Sequence, residues 1–246
     1  MSDWLGSTLW RVSEFDRMHD DAITHNRGGF HRATVFSTTL LAELRTLERG
    51  LGSSDPVEVM SVCLRQREPV LVYLQYEEYV WPVTLFPADT LYHSPRDILC
   101  ASDDGIAKLR LLAAEPPGVR PPGHWMHERI AKTELYRPLA PMLWTMALKG
   151  PRKALLPGIG GTAAYRLLRR PESDGLSTPG ALGAAVERLR REGASLRHIT
   201  AWPGMDLDRA ARLLNALYLT ANLIVTRAHP AARDEPGVFG VSKPRK

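Results

Sequence analysis

His124, His127 and Glu128 are the residues whose spacing comes nearest to metal chemistry. On a helix the two imidazoles would fall one turn apart, which makes half of a metal site. A whole site needs more ligands, and no paired Cys, His or acid stands at a telling distance. A surface stretch following a proline connector is the simpler account. Asp16, His19, Asp20 and His25 crowd a second region, but they lack the HExxH spacing that orients a zinc-bound water and its base. They read as a solvated helix face. Cys63 and Cys100 lie far apart in apolar surroundings with no CxxC pair, and so read as buried free thiols. No cofactor or metal is implied.

The nucleophile and phosphate patterns are no more complete. Gly158-Ile159-Gly160-Gly161, ahead of a segment read as helical from Thr162 to Arg170, resembles a loop whose N–H groups would hold phosphate. It lacks the Lys-Ser/Thr ending of a P-loop and does not match GxGxxG after a parallel strand. A turn explains it more simply. Gly175-Leu-Ser177-Thr-Pro-Gly falls one residue short of the nucleophile elbow GxSxG. Glu77-Glu78 and Asp103-Asp104 sit at expected turns, and neighbouring residues on a strand point opposite ways, so neither pair is a catalytic dyad. Trp81, Tyr76, Tyr79 and Phe86 fit cross-strand packing. The chain reads as non-enzymatic.

The elements that would carry these residues divide the chain by composition. Of 246 residues 44% are hydrophobic, enough for substantial cores. There is neither a long uncharged apolar run nor a basic-then-apolar leader, so the expectation is a cytoplasmic protein with no membrane partner. The net charge of +5 is unevenly spread. Residues 151–246 hold 16 Lys+Arg against 8 Asp+Glu, whereas residues 1–150 hold 16 against 19. A basic C-terminal half points to a polyanion or an acidic partner.

Residues 1–114 read as an α+β domain. Leu5, Leu9, Val12 and Phe15 predict a helix over 3–21, and Phe36, Leu40, Leu44 and Leu47 a second over 33–49. Asp55-Pro56-Val57-Glu58 is a cap followed by a first-position proline, opening a third helix that reaches about Arg67. From Pro69 the β-branched and aromatic runs 70–74, 79–86 and 90–93 predict an antiparallel meander, with Pro82 marking an edge or a bulge. Ser94-Pro95-Arg96-Asp97 starts a short helix, and residues 106–112 alternate as a further strand. Residues 115–177 read as a proline-rich connector with two helical stretches, at 124–135 and 138–148.

Residues 178–229 predict three helices and a short strand. Thr178-Pro179 opens the first helix, with Leu182, Ala185, Val186 and Leu189 inward. Ser195 caps a short second helix, which Pro203-Gly204 stops. Asp206 caps the third, where Leu207, Ala210, Ala211, Leu214, Leu217, Tyr218 and Ala221 form the buried face. The opposite face then carries Asp208, Arg212 and Asn215, flanked by Arg209. Residues 223–226 predict a strand leading to a wing around Arg227 to His229. This order is that of a winged helix-turn-helix. The run from Ser195 to Gly204, followed by Asp206-Leu-Asp-Arg-Ala-Ala-Arg-Leu-Leu-Asn-Ala-Leu-Tyr, resembles the degenerate winged helices of bacterial signalling and scaffold proteins of the PatA type. That resemblance covers about a fifth of the chain and implies a docking module. Residues 230–246 read as a flexible basic tail. The whole is α+β: N-terminal helices and an antiparallel meander, followed by a mainly helical C-terminal winged helix-turn-helix.

The candidate contact residues are Arg190, Arg191, Arg197, Arg209, Arg212, Asn215 and Arg227. With DNA as partner, Arg209, Arg212 and Asn215 would face base edges, and Arg190, Arg191, Arg197 and Arg227 would neutralise phosphates. Two carboxylates at the start of that helix, Asp206 and Asp208, oppose this, because the phosphate wall repels them. Asp206 is accounted for as a cap. Asp208 is not. The favoured expectation is therefore a regulatory or adaptor protein docking a protein partner with an acidic patch, and a DNA-binding transcriptional regulator is the alternative.

Overall fold

The computed structural model describes residues 9–25, 36–49, 55–126, 132–228 and 230–233. Residues 3–8 of the expected N-terminal helix, the Asn26 to Gly29 break, His127, Glu128 and the tail from residue 234 lie outside them. The chain forms two compact units, Met1–Pro151 and Arg152–Lys246. Both mix helices with an antiparallel sheet. Among the described residues no helix is long and apolar enough to cross a membrane.

In the first unit, strand β1 (Trp10–Arg11) leads into α1 (Val12–His25), followed by α2 (Thr38–Arg49) and α3 (Pro56–Gln66). Residues 10 and 11 thus pair with a strand instead of continuing the expected helix. Asp55 caps α3 by accepting from the Val57 amide at 2.9 Å, and Pro56 occupies the first turn, as the spacing predicts. Arg67 ends the helix in the left-handed region.

The meander follows as β2 (Val70–Tyr76), β3 (Tyr79–Phe86) and β4 (Leu91–His93). With β5 (Arg110–Glu115) and β6 (Tyr136–Pro138) they lie in the order β5-β2-β3-β4-β6, and β1 pairs with one end of β3. β3 is buried along nearly its whole length. Pro82 is tolerated there for a local reason. β1 reaches only Tyr79 and Val80, β4 reaches only residues 84–86, and Pro82 stands in the gap. Its carbonyl is not wasted, accepting from Ser94 Oγ at 3.0 Å, while that hydroxyl accepts from the Trp81 indole.

Two further expectations shift in this unit. Ile106 ends a short helix, α4 (Asp103–Ile106), capped by Ser102, so the strand expected from Ile106 begins only at Arg110. Ile106 and Leu109 are buried on the way, which is why their apolar character imitated a strand. The helix expected over 124–135 is a turn at His124 to Met126 and a 3-10 turn at Thr133–Leu135, apart from the undescribed residues between them. Helix α5 (Leu139–Lys149) matches its periodicity, with Leu139, Met142, Leu143 and Met146 buried.

The second unit carries β7 (Ala164–Leu167), α6 (Ala181–Arg191), β8 (Ala194–Ser195), α7 (Leu196–Thr200), α8 (Leu207–Leu219), β9 (Leu223–Thr226) and α9 (Pro230–Arg233). Its sheet has the order β8-β7-β9, both pairings antiparallel. The segment 162–170, read from sequence as helical, therefore supplies the middle strand. Ala164, Tyr165 and Leu167 are buried with only Arg166 exposed, a run too short and too little alternating to be distinctive. β9 takes β7 as its partner, and Arg227 and Ala228 form a bend leading towards α9. The last residue of the expected wing, His229, is outside the described set.

Candidate partner-docking surface

The three helices around the candidate residues are held by local chemistry. α6 starts at Ala181, two residues later than Thr178-Pro179 suggests, because Gly180 takes φ +61° and breaks the helical path. Thr178 instead hydrogen-bonds Glu172. Ala185, Val186 and Leu189 are buried as expected. Ser195 caps α7, and Ile199 beneath it is fully buried. The turn into α8 needs Gly204, whose φ is +74° and where a Cβ would lie 2.8 Å from that of Ala181. Asp206 then accepts from the Arg209 amide at 2.7 Å, satisfying one of the open N–H groups of the first turn.

α8 is enclosed more fully than its pattern implies. Leu213, Asn215 and Ala216 are buried beside Ala210, Ala211, Leu214 and Leu217, while Leu207, expected inside, is 62% exposed and Ala221 lies outside the helix at φ +57°. Asn215 is thus no contact residue. Its side chain is fully buried, Oδ1 accepting from the Leu156 amide at 2.9 Å and Nδ2 donating to the Ala154 carbonyl at 3.0 Å. The chain upstream of β7 covers this flank of α8, and nothing inside the helix's own periodicity reveals that.

The arginines divide into engaged and outward-facing. Arg212 is mostly covered, with Nε 2.6 Å from Asp208 Oδ1 one helical turn away. Asp208, unexplained in the sequence, is half of that pair. Arg209 is exposed and donates to the Gly204 carbonyl. Arg190 is exposed and 3.1 Å from Glu187, which also holds Arg170 at 2.8 Å. The Arg190 hydrogen bond, with Arg170 beside it, keeps the Glu187 carboxyl below the usual carboxylate range. Arg188 lies over the Trp202 ring, 5.4 Å from its centroid, tying α6 to the turn after α7. Arg227 donates to the Gly160 carbonyl at 3.0 Å. Arg191 and Arg197 are exposed; Arg191 adds to the positive field on Glu187, and among the described residues neither side chain is held by a hydrogen bond or a salt bridge.

The remaining candidates for chemistry are occupied by structural duties. The amides of Ile159 and Gly160 both donate to the Leu156 carbonyl, and the Ile159 carbonyl accepts from Tyr165 Oη, so the glycine loop closes on itself ahead of a strand. That overturns its resemblance to a phosphate loop before a helix. His124 Nδ1 accepts from the Met126 amide. Among the described residues no group of three or more His, Cys, Asp or Glu is arranged to hold a metal ion. Cys63 is buried and its thiol is pushed up to about 12 by that burial, so it is inert. Cys100, expected to be buried, is exposed.

Sequence reasoning missed two polar clusters. In the first unit Tyr92 Oη donates to Asp97 at 2.8 Å, and Arg137, 3.8 Å from the same carboxylate, donates to the carbonyls of Ser94 and Leu135. In the second, buried Asn222 joins Asp174, Thr220 and Arg169. Both clusters spend their donors on backbone and neighbours, and only the later burial of Tyr92 and Asn222 marks them. Comparison with known proteins gives no match for the chain, whether to a family model, a curated protein or a solved structure.

Proposed function

We propose that the chain is a non-enzymatic cytoplasmic adaptor whose C-terminal unit, helix-turn-helix in character, docks an acidic patch of a protein partner. One observation carries the reading. On α8, where a DNA reader would present its base contacts, Asn215 is fully buried and the Arg212 side chain is only 15% exposed and paired with Asp208. Major-groove readout needs an open row of side chains along that helix. Arg191 and Arg197, near the ends of α6 and α7, are instead exposed, and neither is fixed by a side-chain hydrogen bond or salt bridge among the described residues. Exposed guanidinium groups outside a recognition helix suit charge-steered docking, which needs only a modest patch. The order α6, α7, tight turn, α8 supports the helix-turn-helix description, as does the capped start of α8.

The test uses the full chain. A partner cross-linked from cells is expected to be lost on Arg191→Glu with Arg197→Glu and kept on Arg212→Ala. In parallel, DNA binding by fluorescence anisotropy is expected to be weak, unselective and removed by moderate salt. Sequence-selective DNA binding that survives moderate salt and is lost on Arg209→Ala would overturn the proposal.

A further inference from the structure

The first unit contains a cavity of about 270 Å³ between α2 and β5. Leu41, Leu44 and Leu47 form its helical wall, and residues 111–114 of β5 form the wall opposite. Four successive strand residues do not ordinarily face one space, since neighbours point to opposite sides of a sheet. A single bulge accounts for one neighbouring pair, and the open edge of β5 leaves the rest of the strand bordering the space. Tyr73 pairs with Ala113 and Leu74 with Leu111, leaving Leu112 as an extra residue in β5. Such a bulge bends the strand and re-aims its side chains, as happens beside binding sites. All four residues are left half-buried, and β5 has no strand on its outer edge among the described residues.

The lining contains one charged residue, Arg45, and no acid. Arg45 is exposed, and among the described residues no carboxylate pairs with it. The acid nearest in sequence on α2, Glu43, is held instead by Arg65 and by Gln66, the latter at 2.8 Å. Compare the surface arginines at Arg65, Arg170 and Arg190, each with its carboxylate. A cation left open beside a leucine-walled space is complementary to an anion with an apolar body. The volume lies just under the ~300 Å³ at which pockets for drug-sized ligands begin, so the body is small.

We propose that this cavity binds a monocarboxylate with a short acyl chain or a single ring, its apolar part between α2 and β5 and its carboxylate on the Arg45 guanidinium. Arginine suits that role because its fork of N–H donors matches two carboxylate oxygens. The site lies in the other unit from the docking arginines, and its proof or failure is independent of theirs.

Calorimetric titration of the full chain with hexanoate, heptanoate, octanoate and octanol tests it. Affinity is expected to rise about three- to fourfold per methylene along the carboxylates. Octanoate is expected to bind about fivefold more tightly than octanol, the modest preference that an exposed guanidinium allows. Arg45→Gln should erase that preference and keep the chain-length trend. Ala113→Leu and Ala114→Leu should each weaken octanoate at least tenfold by filling the space, with unfolding midpoints confirming that the variants fold. Absence of saturable binding, equal affinity for octanoate and octanol, or octanoate binding indifferent to both filling variants would overturn the proposal.

Discussion

The amide of Leu156 donates to the side chain of Asn215, 59 residues later, and that side chain donates in turn to the carbonyl of Ala154. One amide thereby closes the stretch before β7 onto the middle of α8, inside the core. Replacement by Leu would keep the volume, leave the Leu156 N–H without its partner, and leave the Ala154 C=O with Arg152 Nε alone. Asn215→Leu is expected to lower stability by about 1–3 kcal/mol in urea unfolding. A change below a few tenths would mean that water reaches the Leu156 N–H.

Two glycines with nearly the same backbone angle separate steric from conformational cost. Gly204 has φ +74° and a close neighbour in Ala181, whereas Gly175 has φ +72° and open space around its missing Cβ. Gly175→Ala should cost about 1 kcal/mol from the left-handed backbone alone. Gly204→Ala should cost more, about 2–3 kcal/mol, since the turn before α8 must also shift. Equal midpoints in thermal unfolding would contradict the crowding at Gly204.

Asp206 is the cap of α8, and its role is that of an acceptor. Asp206→Ala is expected to destabilise by about 1 kcal/mol, and Asp206→Asn by much less, because the amide oxygen still accepts from Arg209. If Asn and Ala behaved alike in chemical denaturation, the charge and not the hydrogen bond would be what matters.

His93 supplies a pH dependence. Its ring lies 4.9 Å from that of Tyr136, its Nε2 is buried with no hydrogen-bond partner among the described residues, and burial, then nearby Arg137, lowers its pKa. The neutral ring is favoured in the folded state, so the unfolded chain binds the proton first as pH falls. Stability from this group is full above the ordinary histidine value near 6.5 and declines below it, until the folded-state pKa is reached. Melting temperature should therefore drop between neutral and mildly acidic pH, and His93→Phe should flatten that drop. An unchanged slope in the variant would assign it to other groups.

Local signals in the sequence located much of the architecture. Asp55, Ser195 and Asp206 cap where their spacing places them, the meander strands fall on the aromatic and β-branched runs, and α5 follows its leucines and methionines. What stayed hidden depends on residues distant in the chain. Asn215 is polar and sits opposite the strongest apolar stripe, so only the return of residues 154–156 makes it interior. β7 is four residues long, and its identity as a strand rests on partners 30 to 60 positions later. Of the candidate arginines, exposure was legible from the helical period for Arg190, Arg191, Arg197 and Arg209, but the Arg212–Asp208 pairing took Arg212 off the surface.

β7 comes first in its unit and lies between two strands made afterwards. Neighbouring strands sit about 4.8 Å apart, so without it β8 and β9 would face each other across roughly 10 Å, too far to bond. A fragment cut to begin at residue 178 would keep every helix of the arginine surface and lose the ribbon that joins its two edges. During synthesis, likewise, that ribbon waits for β9 before its second edge is satisfied.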